Sequence, residues 1–200
     1  LKPCVKVVAA SGASDYYDAI ALAKTVCEDD DFVPEGGAKN VARRDGMGTT
    51  VLAAVEAIGD LPEFYYQAVG SGTGAIAAWE ASMRYQRSGA CRNQRMRLML
   101  AQNAPFLPLV NAWRERTRQL PAQGEVEAKR QIETIWAKVL SNRKPPYALV
   151  GGLFDALTDT EGDMFSVTND EAKEAADLFD SIEGVDLDPA AAVALAALMR

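Results

Sequence analysis

Short apolar runs alternate with longer stretches of helical periodicity along this chain. Val5 to Ala10 (VKVVAA) reads as a first strand, entered without an initiator Met, as though cut from a longer chain. Ser11-Gly12-Ala13-Ser14 turns it, and Ser14 or Asp15 can cap a helix over Asp15 to Glu28 with the stripe Tyr17, Ile20, Ala21, Lys24 and Val26. Glu28-Asp29-Asp30-Asp31 reads as a solvated loop, since four adjacent carboxylates cannot all turn inward on a metal. Phe32-Val33-Pro34 is briefly extended. A glycine-rich segment from Glu35 to Gly48 leads into a helix over Thr49 to Ile58, which Gly59-Asp60-Leu61-Pro62 ends.

The pattern then centres on Phe64 to Tyr85. Phe64 to Val69 (FYYQAV) is an apolar, aromatic strand; Gly70-Ser71-Gly72-Thr73-Gly74 removes most side-chain bulk; Ala75 to Tyr85 is a helix with Ile76, Trp79, Met83 and Tyr85 for buried contacts. Gln86 to Arg97 is polar and basic and runs over the surface. Leu98 to Ala101 is a further strand, with Gln102-Asn103-Ala104-Pro105 at its carboxyl end, where open α/β sheets place ligands. Helices are predicted over Phe106 to Arg118, with Trp113 buried, and over Lys129 to Leu140, with a stripe of Ile132, Ile135, Trp136 and Val139. A short helix follows at Leu153 to Thr158 and a strand at Asp163 to Val167. Thr168-Asn169-Asp170-Glu171 is a capping box opening a helix to Ile182. Asp188 and Pro189 open the last helix, Ala190 to Met199. Strands alternating with helices predict an α/β fold with an open, mostly parallel sheet flanked by helices.

Composition narrows the chemistry. The 200 residues are 48% hydrophobic and 24% charged, with a net charge of −7. That balance opposes a general nucleic-acid role, which needs a basic face. No apolar run reaches the roughly 18 residues of a membrane span, and no signal peptide is visible. Cys4, Cys27 and Cys91 lack metal spacing and read as reduced thiols of a cytoplasmic protein. The chain has no histidine. Ser-His-Asp and Cys-His catalysis and most metal sites are therefore excluded. Proton transfer would fall to lysine, carboxylates, tyrosine or a cofactor.

Two stretches can take an anion. At Gly70 to Gly74 a turn into a helix N-terminus exposes main-chain N–H groups at the positive end of the dipole, and Ser71 and Thr73 add hydroxyls. It is no Walker loop, for no Gly-Lys-Ser/Thr follows, and no clean dinucleotide fingerprint, because Ala75 stands three residues after Gly72. A tight turn without a ligand is the alternative. Lys39, Asn40 and Arg43 could grip a phosphate or sulfonate, or could belong to an exposed linker between two lobes.

The order of these pieces resembles the fold-type-II pyridoxal-phosphate enzymes (tryptophan synthase β-like), in the threonine synthase branch. Val69 to Gly74 matches the turn that holds the cofactor phosphate there, and Gly184 to Ala192 matches the acid-Pro-Ala-rich helix start. Within the branch, Gly70 to Glu80 (GSGTGAIAAWE), Gln102 to Phe106 (QNAPF) and Asp188 to Ala194 (DPAAAVA) resemble the archaeal cysteate synthases. The resemblance implies pyridoxal 5'-phosphate as cofactor, held by Gly70, Ser71, Gly72, Thr73 and Gly74. It implies small anionic substrates, phosphoserine and sulfite, with sulfite replacing the phosphate to give L-cysteate for coenzyme M formation. Asn40 and Arg43 match the spacing of a substrate-phosphate motif of threonine synthases; Lys39 and Gln102 join them as substrate-binding candidates. It further implies a homo-oligomer, with residues 1–31 left from a smaller N-terminal lobe and 32–200 as the large cofactor-binding lobe. The Schiff-base lysine of the family lies in an earlier segment, so none is assigned here and this chain alone is expected to be inactive. Threonine synthase acting on O-phosphohomoserine, and a non-catalytic phosphate-ligand-binding domain, are the alternatives.

Overall fold

The computed structural model describes residues 4–29, 31–91 and 95–200. Three parallel strands form its sheet: β1 (Phe64–Ala68), β2 (Arg97–Asn103) and β3 (Asp163–Val167), in spatial order β1-β2-β3. Gln67 pairs with Leu100, and Leu100 with Met164. Helix α1 (Tyr16–Val26) and helix α2 (Val41–Ile58) precede β1; α3 (Thr73–Ser88) joins β1 to β2. Helices α4 (Pro108–Arg114), α5 (Glu125–Thr134) and α6 (Leu153–Asp159) lie between β2 and β3, and α7 (Asn169–Glu183) and α8 (Pro189–Leu198) end the chain. The expected parallel α/β architecture is present. No helix among the described residues is long and apolar enough to cross a membrane.

Alternation along β2 feeds two different cores. Leu98 and Leu100 face a core of large side chains, among them Ile76, Leu109, Trp113, Tyr147, Leu153 and Leu157. Ala101 faces the other side, where Val167, Ala172, Ala175, Ala192, Val193, Ala196 and Ala197 pack α7 and α8 on the sheet. Within the first core Trp113, Phe154 and Tyr147 meet edge to face, with ring centres 5.9 Å apart in each pair. The Tyr147 hydroxyl is buried without a hydrogen-bond partner.

Several elements depart from the sequence reading. Val5 to Ala10 forms no strand; Val7 and Val8 are 68% and 77% exposed, and nothing pairs with them among the described residues. An apolar run becomes a strand only against a ladder partner. Helix α2 starts at Val41, well before the expected Thr49, because Asn40 caps it through the Arg43 amide. Its Gly48 sits against α3, where a Cβ would stand 3.3 Å from the Ala77 carbonyl oxygen. The helix expected over Lys129 to Leu140 breaks at Ile135, whose backbone is extended, so the stripe divides: Ile132 and Ile135 join Phe106 and Ala128, whereas Val139 is exposed. The basic surface segment is helical to Ser88, and Arg92 within it lies outside the described residues, as does Asp30 of the acidic run.

Helix α1 buries no residue and is tied down by charge. The Arg143 side chain, 5% exposed, donates to Asp15 and to Asp18 at 2.7 Å and lies 4.8 Å from the centre of the Tyr17 ring. Lys129 adds a 2.9 Å pair to Asp18. The Lys129 hydrogen bond, with one from the Asp15 amide, holds the Asp18 carboxyl below its ordinary value.

Arg143→Ala is expected to destabilise the chain by about 1–3 kcal/mol, below the figure for a fully desolvated pair because Asp18 keeps solvent access. The depressed Asp18 titration contributes stability above about pH 4 and loses it as pH falls further. Limited proteolysis against pH should therefore show α1 released first in acid in the parent, and already accessible at neutral pH in the variant. At the other end of the scale, burial pushes the Tyr147 hydroxyl up to about 12, against the pull of Arg116 and Arg118. Its contribution is full below pH 10 and is lost as pH rises towards 12. Tyr147→Phe removes an orphaned hydroxyl; it should leave stability at pH 7 unchanged or raised by up to about 1 kcal/mol and flatten the alkaline loss measured by denaturant unfolding.

Candidate functional site

Strand β1 carries its ladder one step past Ala68, the Val69 amide donating to the Ala101 carbonyl at 2.8 Å. The chain then turns. Gly72 adopts a left-handed backbone (φ 81°) and caps α3, which starts at Thr73. Ile76 is the first residue whose amide bonds back, to the Gly72 carbonyl at 3.0 Å. Among the described residues, the amides of Ser71, Gly72, Thr73, Gly74 and Ala75 find no acceptor. Five consecutive unpaired donors at the positive end of a 16-residue helix make a cradle for an anion. The Ser71 and Thr73 hydroxyl oxygens lie 3.0 Å apart and share one hydrogen bond.

The cradle is walled by specific side chains. A Cβ on Gly72 would stand 2.7 Å from Leu153 Cδ2, at the start of α6. On Gly74 it would collide with Gln67 Nε2. Gly70 packs on the backbone of Val139 and Leu140. Gly72 to Gly74 are buried under these neighbours, and Gly70 and Ser71 are half-buried. Side chains are thus excluded by space at Gly74 and by space and φ together at Gly72.

The hydrogen bonds and ion pairs of the other candidates run to partners outside the cradle. Asn40 accepts from the Arg43 amide at 3.1 Å and donates to the Glu35 carbonyl at 2.6 Å. The Arg43 guanidinium pairs with Glu35 at 2.6 Å, on the surface. The Gly37 amide, the larger influence, and that pair hold Glu35 below the ordinary carboxylate range. Lys39 is exposed, in the turn Gly37–Lys39 that packs on α3 through the buried Ala38. Gln102 is 1% exposed; its Oε1 accepts from the Leu109 and Val110 amides at 2.8 and 3.1 Å, capping α4, and its Nε2 is buried without an acceptor.

Three residues gain roles the pattern did not assign. Gln67 walls Gly74, and its Oε1 is buried without a donor. A polar residue inside an apolar strand was the signal for it. Asn103 joins three segments at the ends of the strands: it donates to the Val167 carbonyl at 3.1 Å and the Asn169 Oδ1 at 3.0 Å, and accepts from the Ala137 amide at 2.9 Å. Leu153 gave no signal, since it is one apolar residue among many.

Known proteins share much of this chain. It is 50% identical to the cysteate synthase of Methanosarcina barkeri over 197 residues, which cover 98% of this chain and 47% of that protein. It is 52% identical to the cysteate synthase of Methanospirillum hungatei over 188 residues, 94% of this chain and 44% of the other. The chain thus spans about half the length of the curated relatives it matches. Among solved structures, maize serine racemase superposes with a TM-score of 0.53 at 15% identity, over 78% of this chain and 42% of that one. A threonine deaminase from T.th. does so with 0.51 at 17% identity, over 78% and 51%. At such identities the likeness concerns the fold. The family profile described as "Pyridoxal-phosphate dependent enzyme" matches residues 4–200, so the chain belongs to that family and its cofactor is pyridoxal phosphate.

Proposed function

We propose that this chain supplies the cofactor-phosphate half of an enzyme that replaces the phosphate of O-phospho-L-serine with sulfite, giving L-cysteate and phosphate for coenzyme M formation. The cradle of five unpaired amides is the observation that carries the reading, and identity near one half to cysteate synthases supports the choice of reaction. The cradle fits the cofactor's phosphate: a dianion satisfies the Ser71 to Ala75 amides, and glycine at 72 and 74 lets the backbone lie where Leu153 and Gln67 leave no room for a Cβ. Pyridoxal phosphate, when bound, supplies the electron sink for breaking and making bonds at the substrate Cβ.

The protein groups bind and orient. Ser71 and Thr73 can turn their hydroxyl hydrogens to a phosphate oxygen, since each now shares one hydrogen bond with the other. Lys39, exposed and near α3, and Arg43, once released from Glu35, would draw the anionic substrates into a chain whose net charge of −7 repels them. Asn40 holds Arg43 in place by capping α2. Gln102 would reach substrate only through its unpartnered Nε2. No lysine of this chain is assigned as the covalent anchor, so the 200 residues alone should be silent.

Turnover decides the reaction. The complete gene product, given O-phosphoserine and sulfite, should release phosphate and cysteate in equal amounts. Phosphate release from O-phosphohomoserine alone would assign it to threonine synthase chemistry instead, and cysteate formation by the 200-residue chain would overturn the assignment of the anchor elsewhere.

Substitution tests the cradle. Gly72→Ala should cost about 1–2 kcal/mol through its left-handed backbone and weaken cofactor binding roughly tenfold. Gly74→Ala collides with Gln67 Nε2, so the double variant Gly74→Ala, Gln67→Ala should regain most of the lost thermal stability. A double variant no more stable than Gly74→Ala alone would refute this account of the wall.

A further inference from the structure

A cleft lies at the opposite end of the sheet from the cradle. Arg97 and Asp163, the first residues of β2 and β3, stand on its rim, whereas Ser71 to Ala75 follow the carboxyl end of β1. Its volume is about 510 Å³, room for a small molecule. Phe154 and Leu157 of α6 give it an apolar floor, beside Trp113.

The charges around it are unevenly matched. The Asp163 Oδ1 already accepts from Trp113 Nε1 at 3.0 Å and from the Met164 amide at 2.8 Å. Glu161 pairs with Arg95. Arg97 spends Nε and one terminal nitrogen on the Glu161 carbonyl, at 3.1 and 2.9 Å. Arg116 is different. Its guanidinium lies over Trp113, 4.1 Å from the ring centre, and has no carboxylate partner among the described residues. Stacking leaves its in-plane N–H groups free for an acceptor.

Arg116 (φ 54°) and Glu161 (φ 49°) both line this cleft with left-handed backbone, each just past a helix end, where the Thr117 and Gly162 amides close back on the Ala112 and Leu157 carbonyls.

We propose that this cleft is a second small-molecule site, taking a monoanion with a flat apolar body, an aromatic or heteroaromatic carboxylate. The carboxylate binds the Arg116 guanidinium and the ring lies against Phe154 and Leu157. Glu161 and Asp163 on the rim, and the carboxyl end of α6 nearby, oppose a dianion such as phosphate. The ligand is therefore distinct in kind from whatever the amide cradle holds.

Trp113 reports on the site directly. Benzoate titrated into the chain should change tryptophan emission saturably, and Trp113→Phe should abolish that change. Benzamide, neutral and of the same shape, should bind roughly tenfold more weakly, the loss expected for a charge-assisted hydrogen bond. Arg116→Gly removes the cation and relaxes a left-handed backbone, so it should fold at least as stably while binding benzoate roughly tenfold more weakly. Arg116→Lys should retain binding within a few-fold. Benzoate affinity unchanged in a folded Arg116→Gly variant would overturn the proposal. So would a response to inorganic phosphate as tight as that to benzoate, or no saturable response at all.

Discussion

Parallel pairing is the constraint from which the rest of this structure follows. Parallel strands cannot be joined by a tight turn, so every link must cross back over a face of the sheet. Here β1 is followed by α3, and β2 by α4, α5 and α6. Helices α3, α4 and α6 cover one face of β2 while α7 and α8 cover the other, and the crossovers bring the carboxyl ends of all three strands to one edge. The cradle after β1, the Gln102-Asn103 pair closing β2 and the Thr168 cap after β3 are gathered there. Asn103 binds this edge together, tying the ends of β2 and β3 to the Ala137 segment through one carboxamide. The edge is thus a product of topology before it is a product of any side chain, and it is the end at which open α/β sheets place ligands.

That edge solves an electrostatic difficulty without histidine. The chain carries a net charge of −7, yet its cofactor bears a phosphate. In the function proposed above, backbone amides supply the attraction instead, acting only within a few ångströms. The cationic side chains closest to such a role by sequence are engaged elsewhere or held apart: Arg43 with Glu35, and Arg44 with Glu80 at 2.9 Å, strapping α2 to α3. The Ala38 carbonyl accepts a further bond from Arg44, which fixes the Lys39 turn against the same helix. Side-chain charge here orients helices, and the main-chain amides at the start of α3 are left unpaired.

Local chemistry was legible from residue order alone. The Thr168–Glu171 capping box, the Asp188-Pro189 start and the strand-turn-helix at Phe64 to Tyr85 are each written within a few residues, and each is present, the helix running on to Ser88. What needed a distant partner was lost. Val5 to Ala10 has strand composition and no partner strand among the described residues. The Lys129 to Leu140 stripe is continuous in sequence, but Ile135 and Leu140 answer to different cores. Glycines at 46 and 48 suggested a loop; in fact Gly48 lets α3 come close, a reason seen only once Ala77 is beside it. Gln102 was placed correctly at a strand end, and its side chain is turned to the α4 amides for want of a cap residue there.

The two faces of the sheet differ in grain. On the α7–α8 side alanine dominates the contacts, and alanine has no rotamers to freeze on folding. Each methyl there contributes little, but nothing opposes it, and the helices can lie nearly on the backbone of β2. Such a surface is stiff where alanine dominates, and the longer side chains packed on it, among them Tyr66, Trp136, Phe165 and Leu195, are only partly buried. The opposite face, built from leucine and aromatic rings, has many more degrees of freedom to adjust. Any readjustment of packing therefore has more room on the leucine and aromatic side of the sheet, while the alanine layer keeps its geometry.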